Sequence, residues 1–546
     1  MHYTDIIIIG AGAAGLTAAI FAAQGLQRDE LSRETGADSD MQKTHLSQAD
    51  LPKAVLPQTN PLHSEGTQAE VPAPSGSSRE TGAVRITLLE RTPQPGRKIL
   101  MSGGTRCNVL PVEMRLDDFV TDSSRNRMRN IFRSWSLDEC RRWFTEEIGL
   151  RLACERESNK WFPESNSARD VRDLLVRRAS GLGVEIRTGA SVASVRRSGP
   201  AWVVSTDDGV HYGAPVVVFA TGGLSIPSTG TDGTGHSIAE TLGHTLHPTY
   251  PALTPLTGPH PGRDPLPGVS LDVDLEPVFV DAEAAGQSVP DKNKGRRQTA
   301  TRPVPKDLCP FRTRRSGFLF THKGWSGPAV LDVSHVIVRA QQGTLPGTAD
   351  RQQTNASQPS ATSHPSAVKK PTSACQHSTA GHHSADRQPS AALRINWTGK
   401  SAQWWQEQFE GHHTTTSLLR SHLPRRLADN LLEENGLADR KTAQLSSRER
   451  QRLISDLTEY LLLPTGNLGY KKAEVTGGGI PLEEINPATM ESRLAHGIFL
   501  CGEILDVFGR IGGFNFYWAW VSGRLAGIHA ASAASAPDTD HQTSLP

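Results

Sequence analysis

The fold is decided by DIIIIGAGAAG, residues 5–15 near the start of the chain. Its first part, Ile6–Ile9, is a continuously apolar, β-branched run, which is typical of a strand buried on both faces of a parallel sheet. Gly10 permits a tight turn, Gly12 lets the backbone approach a pyrophosphate, and Gly15 lets the next helix pack closely. Since residues 16–23 predict that helix, the stretch favours a phosphate-binding turn at a helix N-terminus. The alternative is a turn that only packs the helix against the strand, so nucleotide binding needs a second indication in the sequence.

The second signal is an acidic residue at the end of the next strand. Rossmann units place one about 20 residues past the last glycine, where its carboxylate accepts hydrogen bonds from ribose hydroxyls. Glu90 ends the run of residues 84–89, but it lies 75 positions after Gly15. Residues 27–82 are rich in Gln, Ser, Thr, Pro and charge without a helical or strand period, so removing them as an insertion restores the spacing. A solvated strand-end glutamate is the alternative reading of Glu90.

Composition and charge predict which partners the chain has. The 58 Lys and Arg residues balance 57 Asp and Glu residues to a net charge of +1, so neither nucleic acid nor a membrane surface is expected as a partner. Asp5 precedes only four isoleucines, so a signal peptide is not predicted, and no apolar run approaches the roughly 20 residues of a membrane span. The six cysteines form no CxxC pair, so no metal site is predicted. We therefore expect a cytoplasmic protein.

Low-complexity stretches divide the chain into parts. Residues 341–391 repeat the composition of residues 27–82, and both are predicted to be disordered because they bury too little apolar area to offset the entropy of ordering. Residues 283–302 predict a shorter surface loop. The rest predicts an α/β fold, with a discontinuous Rossmann-type domain, an inserted mainly β domain and a small helical subdomain. The predicted boundaries are residues 1–248 and 481–534 for the first, 249–416 and 463–480 for the second, 417–462 for the third, and 535–546 for a disordered tail.

Two helices define the predicted helical subdomain. One helix is predicted over residues 417–432, because leucines recur there every four residues and give one apolar face; they are Leu419, Leu423, Leu427 and Leu431. A second helix is predicted over residues 447–462. After the inserted domain, a strand at residues 499–501 and a final helix over residues 515–531 return the chain to the nucleotide-binding domain.

Only one complete glycine fingerprint occurs, so a second Rossmann domain is not predicted. A further turn, Thr221-Gly222-Gly223, follows the apolar run of residues 216–220 and can bring backbone close to the same nucleotide. An ordinary turn at the end of a strand is the alternative.

Five motifs, in order along the chain, link the sequence to one family. They are SGGTRCN at residues 102–108, ATGG at 220–223 with STG at 228–230, FTH at 320–322 with SGP at 326–328, AEVTGG at 473–478, and GEILD at 502–506 with GGFNF at 512–516. With them the chain resembles the bacterial aminoacetone oxidase-like family of FAD-binding NAD(P)/FAD-dependent oxidoreductases, which includes a bile-acid enone reductase. At greater distance it is similar to the flavoproteins of fumarate reductase and succinate dehydrogenase.

The resemblance implies noncovalent FAD, with the isoalloxazine between the SGGTRCN loop and the C-terminal GGFN turn. It also implies that the backbone of Val192 meets the adenine. Taken with the two glycine turns, the predicted cofactor-binding residues are Gly10, Gly12, Ala13, Ala14, Gly15, Glu90, Arg91, Arg97, Lys98, Ser102, Gly103, Arg106, Cys107, Asn108, Val192, Thr221, Gly222, Gly223, Gly502, Glu503, Gly512, Gly513, Phe514 and Asn515. The sequence departs from the family pattern at Gly104, at Thr105 and over residues 508–511, which leaves the substrate open.

FAD implies hydride transfer between flavin N5 and a small organic substrate, with NADH or NADPH as candidate electron donors. Asn515 is predicted to cap the last helix, whose positive dipole end would stabilise charge on the reduced flavin. The catalytic acid or base stays open. The candidates, each of which could equally be a salt-bridge or core residue, are Arg106, Arg510, His322 and Tyr470. Cys107 could be a redox thiol or a packed residue.

Three functions follow from this reading. The first is a reductase of a conjugated double bond, the second is an amine oxidase, and the third is a tRNA-modifying flavoprotein, which the near-zero charge disfavours. A redox sensor that binds FAD without turnover is a further alternative.

Overall fold

The computed structural model describes residues 1–34, 84–280, 300–311, 315–345 and 390–535. Its first domain is built on a parallel sheet in which a strand from the C-terminal part of the chain joins strands from the N-terminal part. The sheet order is Ile498–Leu500, Val216–Phe219, Ile6–Ile9, Ile86–Glu90 and Glu185–Thr188. Ile6–Ile9 and Val216–Phe219 are buried along their whole length, as their uniformly apolar sequences predict. The predicted α/β Rossmann-type fold class is confirmed.

Two long helices pack against each other and against this sheet. Ala13–Glu34 follows the glycine fingerprint, and Phe514–Ser535 comes after the GGFN turn. A four-stranded sheet lies beside the parallel one, in the order His2–Tyr3, His211–Ala214, Ala201–Thr206 and Val192–Ser198. The two ends of the polypeptide therefore share one hydrophobic core.

Shorter elements complete the first domain around the parallel sheet. The helices are Arg97–Met101, Arg125–Arg133, Leu137–Arg142, Ala168–Gly181 and Thr234–Thr241, with a π-helical turn at Trp143–Glu147. The short helical turns are Ser102–Thr105, Leu116–Asp118, Pro227–Thr229, Leu482–Glu484 and Gly502–Ile504. The short strands are Leu110–Pro111, Lys160–Pro163 and Leu152–Glu155 in one sheet, and Phe119–Val120 and Phe508–Gly509 in another.

The inserted domain is an antiparallel sheet with helices packed on it. The sheet order is Tyr460–Leu462, Ser390–Asn396, Ser270–Val280, Ser316–Thr321, Gly324–Ser326, Leu256–Thr257 and Gly466–Asn467, with Thr301–Pro303 on the side of the long strand. The helices are Pro328–Gln342, Ala402–Gln408, Thr415–Arg420, Arg425–Asn435 and Ser447–Thr458, with a short turn at Thr442–Gln444. The helices and the sheet share one core. The pair His247–Ala252 and Val475–Gly479 connects the two domains.

Both helices predicted for the helical subdomain are wrong in extent. The first breaks into Thr415–Arg420 and Arg425–Asn435, because Pro424 cannot continue a helix and disfavours helical backbone in the residue before it. The second ends at Thr458, and the residues after it form a strand that pairs with Ser390–Asn396. The four recurring leucines are nevertheless all buried. Periodicity identified the buried face but not the breaks.

Most of the stretches predicted to be disordered lie outside the described residues, as does the tail from residue 536. Their ends are corrected where residues 341–342 finish a helix and residues 390–391 begin a strand, and residues 301–302 of the predicted surface loop also lie in a strand. The start of the first stretch is corrected, because the fingerprint helix continues from residue 27 to Glu34. Residues 27–34 contain no glycine or proline and are mostly good helix formers, so the helix extends through them. The domain boundaries remain predictions.

Candidate FAD-binding and active site

A cavity of about 610 Å³ is lined by both ends of the chain and, at Glu474 and Val475, by the segment that returns from the inserted domain. Its wall includes Gly10 and Gly12 of the fingerprint and Gly512 and Gly513 of the C-terminal turn. Its volume is in the range of ligand-binding clefts. The cavity also lies at the carboxyl ends of the parallel strands, where nucleotides bind in open α/β sheets.

Most of the predicted cofactor-binding residues line this cavity. They are Gly10, Gly12, Ala13, Ala14, Glu90, Arg91, Arg97, Lys98, Ser102, Gly103, Arg106, Asn108, Val192, Thr221, Gly222, Gly502, Glu503, Gly512, Gly513 and Asn515. Four others do not line it: Gly15, Cys107, Gly223 and Phe514. A Cβ on Gly15 would lie 1.8 Å from the Gly10 carbonyl oxygen, and one on Gly223 would lie 2.5 Å from Thr476 Oγ1. These two glycines therefore permit close packing behind the cavity wall.

The fingerprint turn leaves room for a ligand at one position only. Gly10 has φ of +100°, and a Cβ there would lie 2.5 Å from the Ala220 carbonyl oxygen, so the turn requires glycine. A Cβ on Gly12 would meet nothing within 4 Å, so its backbone faces open cavity. The helix begins one residue later, at Ala13, and its free N–H groups favour an anion such as a pyrophosphate.

Glu90 is held in place at the end of its strand. Its carboxylate accepts hydrogen bonds from the backbone N–H of Ala11 (2.9 Å) and from both the N–H and the hydroxyl of Thr92 (2.8 and 2.7 Å). The side chain is buried and borders the cavity, where carboxylate oxygens can still accept from ribose hydroxyls. The neighbouring Arg91 pairs with Asp232, which also lines the cavity.

The two basic residues after the fingerprint differ in their availability to a ligand. Lys98 Nζ donates to Glu503 Oε2 and to Ser225 Oγ, each at 2.5 Å, and Glu503 Oε1 also accepts from the backbone N–H of Thr476 at 2.9 Å. Arg97 lines the cavity and has no ion-pair partner among the described residues. Arg97 is therefore available to bind a phosphate.

The SGGTRCN loop presents a polar atom without a protein partner. Gly103 and Gly104 have φ of +54° and +64°, so the loop turns tightly. Asn108 lines the cavity, and its buried Oδ1 accepts no hydrogen bond from any described residue. A buried acceptor of this kind is costly unless a ligand donates to it. FAD carries groups that can donate a hydrogen bond to an acceptor such as Asn108 Oδ1. The unpaired Asn108 oxygen and the open backbone at Gly12 therefore both fit the cofactor.

Cys107 does not face the cavity. It is fully buried, and burial raises the pKa of its thiol to about 12, although a hydrogen bond with Ser102 acts in the opposite direction. At neutral pH the group is therefore a neutral, packed thiol. This placement favours the packing role of Cys107 over the redox one.

The C-terminal turn corrects the role predicted for Asn515. The helix begins at Phe514, so Asn515 lies inside its first turn and does not cap it. Its side-chain amide instead donates to the Gly509 carbonyl and accepts from the Gly509 N–H, both at 2.8 Å. Gly512 and Gly513 precede the helix with φ of +130° and +92°. The helix N-terminus still borders the cavity, where its dipole favours negative charge.

Of the four acid or base candidates, only Arg106 lines the cavity, and it is already paired. It donates to Glu155 at 2.7 Å and to Asn166 at 2.8 Å, with its guanidinium 3.8 Å from the centre of the Phe162 ring. Arg510 pairs with Asp118 at 2.7 Å. His322 lies exposed in a hairpin turn, and Tyr470 does not reach the cavity wall.

Sequence reasoning missed three titratable groups at or beside the cavity wall. Lys160 and Glu474 line the wall, and Asp332 lies beside them with Oδ1 2.7 Å from the backbone N–H of Ile511. Burial lowers the pKa of Lys160 and raises the pKa of Glu474. Burial also raises the pKa of Asp332 to about 7. Strand alternation over residues 160–163 could have placed Lys160 and Phe162 on one face, but nothing in the sequence placed that face at the cavity.

These features define a class of protein, the FAD-dependent oxidoreductases with a Rossmann-type nucleotide-binding domain. Residues 75–529 match the family model described as the HI0933-like protein Rossmann domain, and the chain belongs to that family. The protein is therefore an enzyme that uses FAD. The family to which the sequence motifs pointed is confirmed.

Two relatives with assigned activities match most of the chain. A ribosomal RNA dihydrouridine synthase of Escherichia coli is 28% identical over 445 residues, which cover 80% of this chain and 90% of the relative. A 3-dehydro-bile acid delta(4,6)-reductase of Clostridium scindens is 26% identical over 475 residues, which cover 85% and 97%.

Solved structures resemble the protein at greater distance. A quinol fumarate reductase of E. coli is 14% identical, with 100% of this chain and 72% of the other covered, at a TM-score of 0.39. A 3-ketosteroid-delta4-(5alpha)-dehydrogenase of Rhodococcus jostii is 14% identical, with 97% of each chain covered, at a TM-score of 0.37. In the described part of the chain no helix is long and apolar enough to cross a membrane.

Proposed function

We propose that the protein is a FAD-dependent reductase of carbon–carbon double bonds conjugated to a carbonyl group, with NADH or NADPH as the electron donor. The observation that carries the proposal is one continuous cavity that is lined both by the nucleotide fingerprint and by the polar residues Lys160 and Glu474. The names of both relatives support it. A delta(4,6)-reductase acts on such bonds in a bile acid, and dihydrouridine is uridine with the double bond next to its C4 carbonyl reduced.

Each part of the cavity wall has a task in this reaction. Bound, reduced FAD supplies a hydride, which is the chemistry the protein does not have in its own side chains. Glu90 binds a ribose, and Arg97 with the N-terminus of the Ala13–Glu34 helix binds the pyrophosphate. The dipole of the Phe514–Ser535 helix offsets negative charge at the flavin end. Glu474 and Val475, where the chain returns from the inserted domain, line part of the same wall.

A uridine in ribosomal RNA is the second candidate substrate. Two curated relatives, from E. coli and Haemophilus influenzae, carry the name ribosomal RNA dihydrouridine synthase. This supports a nucleic-acid substrate, against the expectation from the balanced net charge. A small enone and an RNA uridine share the same reacting group, so the reaction class does not depend on which of them is the substrate.

The test is a two-stage anaerobic experiment on purified protein that contains FAD. NADH or NADPH is added first, and bleaching of the flavin absorbance reports reduction. The reduced protein is then mixed with a conjugated enone, with a ribosomal RNA transcript or with oxygen, and in a separate sample an amine replaces the pyridine nucleotide as the reductant. Rapid reoxidation by the enone or the RNA is expected, together with the saturated product by mass spectrometry.

Other outcomes of this experiment would reject the proposal. Flavin that is reduced by an amine and reoxidised only by oxygen would identify an amine oxidase. A colourless preparation that takes up no added FAD would remove the basis of the assignment. Gly12→Val is the matched control, because its side chain would enter the space that the backbone leaves open for a phosphate.

A further inference from the structure

Lys160 lies on a strand that is paired with a neighbouring strand on each side. The strand Lys160–Pro163 pairs with Leu152–Glu155 and with Leu110–Pro111. Because alternate residues of a strand share a face, Lys160 and Phe162 both line the cavity. The Arg106 guanidinium lies over the ring of Phe162 and holds this face in place. The position of Lys160 in the wall is therefore set by the hairpin and its neighbours.

Lys160 is half-buried, and its ammonium group has no hydrogen-bonding partner, and no ion-pair partner within 4.0 Å, among the described residues. The other basic side chains of this region are paired, Arg106 with Glu155 and Arg510 with Asp118. Removing an ammonium from water without a partner is costly, so the arrangement is best explained by a ligand group that completes it.

Lys160 also lies beside the turn assigned to the flavin. A Cβ on Gly512 would be 3.3 Å from Lys160 Cε. Charged groups from every surrounding element act on the ammonium: Glu155 from its own hairpin, Asp332 from the helix Pro328–Gln342, Glu474 next to the strand Val475–Gly479, and Arg510 after Phe508–Gly509. When they are ionised, the carboxyl groups favour the charged form of Lys160, whereas burial and Arg510 oppose it.

We propose that Lys160 binds the carbonyl oxygen of the conjugated substrate and stabilises the negative charge that develops there during reduction. This assignment rests on the proposed function. The hydride forms a bond to the β-carbon, the carbon–carbon π bond breaks, and the electron pair moves through the conjugated system onto the carbonyl oxygen. A proton from solvent then adds to the α-carbon and restores the carbonyl group, and the reduced flavin, regenerated by reduced pyridine nucleotide, is the source of both electrons. A fixed cation beside the carbonyl oxygen lowers the barrier of this step, because the negative charge on that oxygen develops only in the transition state.

The first arm of the test separates the two half-reactions. In Lys160→Met, which keeps the length of the side chain and removes its charge, reoxidation by an enone is expected to slow by about 100-fold. Reduction of the flavin by NADPH, and the affinity for FAD, are expected to stay within about twofold of wild type. Lys160→Arg keeps the cation and should recover part of the rate. Lys323→Met, at an exposed position away from the cavity, is the matched control.

The second arm needs no turnover. A phenol such as 4-chlorophenol ionises to a phenolate, whose charged oxygen imitates the oxygen of the reacting substrate. Titration of the FAD-loaded protein across pH, followed by calorimetry, should show that wild type binds the phenolate form. The affinity of Lys160→Met for the phenolate should fall by at least about tenfold, which is the change expected when one charge-assisted hydrogen bond is lost.

Three results would overturn the assignment. They are unchanged phenolate affinity in Lys160→Met, no phenolate binding by wild type, and a weaker FAD affinity or slower flavin reduction in the variant, which would mean that Lys160 serves the cofactor. If wild type reduces no conjugated carbonyl compound, the proposed function fails separately, and the phenolate titration still decides whether Lys160 is an oxyanion site.

Discussion

Asp332 shows how strongly its surroundings can change one ionisable side chain. It is packed at the start of the helix Pro328–Gln342, where it accepts a hydrogen bond from the backbone N–H of Ile511. Burial raises the pKa of its carboxyl group from 3.8 to about 7, against the opposite effects of that hydrogen bond and of Arg510. The folded protein therefore keeps a proton on Asp332 at a pH where an unfolded chain has lost it.

We expect Asp332→Asn to stabilise the protein in a pH-dependent way. As pH rises from about 4 to about 7, the unfolded carboxyl ionises while the folded one does not, so wild-type stability falls across that window. The asparagine avoids this loss and can still accept from the Ile511 N–H. The gain has an upper bound of about 4 kcal/mol above pH 7, since the pKa shift is about three units. Thermal unfolding with excess FAD, at about pH 4.5 and about pH 8, measures it.

The control for this prediction is Asp272→Asn, at an exposed carboxyl group where solvent screens the charge. An equal stability difference between Asp332→Asn and wild type at both pH values would contradict the argument. So would a loss of stability at the higher pH.

The two long helices approach each other through small residues. A Cβ on Gly523 would lie 2.5 Å from the Ala14 carbonyl oxygen, and one on Gly527 would lie 2.3 Å from the Ala18 carbonyl oxygen. The backbones are thus too close for any side chain at either glycine. Because one helix follows the fingerprint and the other follows the GGFN turn, this contact sets the distance between the two ligand-binding turns.

We expect Gly527→Ala to destabilise the protein by about 1–3 kcal/mol, which is the usual cost of forcing an extra methyl group into a packed contact. FAD should also be released more easily, because the helices must separate. Urea unfolding and the fluorescence of released FAD measure the two effects. Gly181→Ala is the matched control, since a Cβ there meets nothing within 4 Å, and it should be neutral or slightly stabilising. Equal behaviour of the two variants would contradict the prediction.

The two domains are held together by a buried ion pair as well as by apolar contact. Arg339, on the helix Pro328–Gln342 of the inserted domain, donates to both oxygens of Asp122 in the nucleotide-binding domain, at 3.0 and 2.7 Å. Its side chain is only 5% exposed, and its guanidinium lies 4.9 Å from the centre of the Tyr250 ring. Val475, in the strand pair that connects the domains, lines the cavity, so the attachment of the domains affects its wall.

We expect Arg339→Met to cost about 3–5 kcal/mol, because it leaves the partly buried Asp122 carboxylate without its partner. Arg339→Met combined with Asp122→Asn should recover part of that loss, since the unpaired charge is then gone. Unfolding measurements on the single and double variants give the coupling. Arg420→Met, which breaks the exposed pair with Asp429, is the control and should change little. A double variant no more stable than Arg339→Met would contradict this account.

The sequence alone determined the class of fold and the nucleotide end of the site. Gly10, Gly12 and Gly15 can be recognised in the sequence, because a tight turn, an open backbone and a close helix contact are local requirements that only glycine meets. Buried strands and helical faces were also readable from apolar runs and periodicity, apart from breaks such as the one at Pro424. These features act over a few residues, so a single chain displays them.

The tertiary structure decided which polar groups are satisfied and which remain available. Arg106 is paired with Glu155, Asn515 with the backbone of Gly509, and Lys98 with Glu503, while Lys160 is left free at the flavin end. Lys98 and Glu503 are separated by 405 positions, and no local pattern predicts that they meet. Charge pairing and burial depend on packing between distant segments, and for this reason the reactive end of the site could not be derived from the sequence.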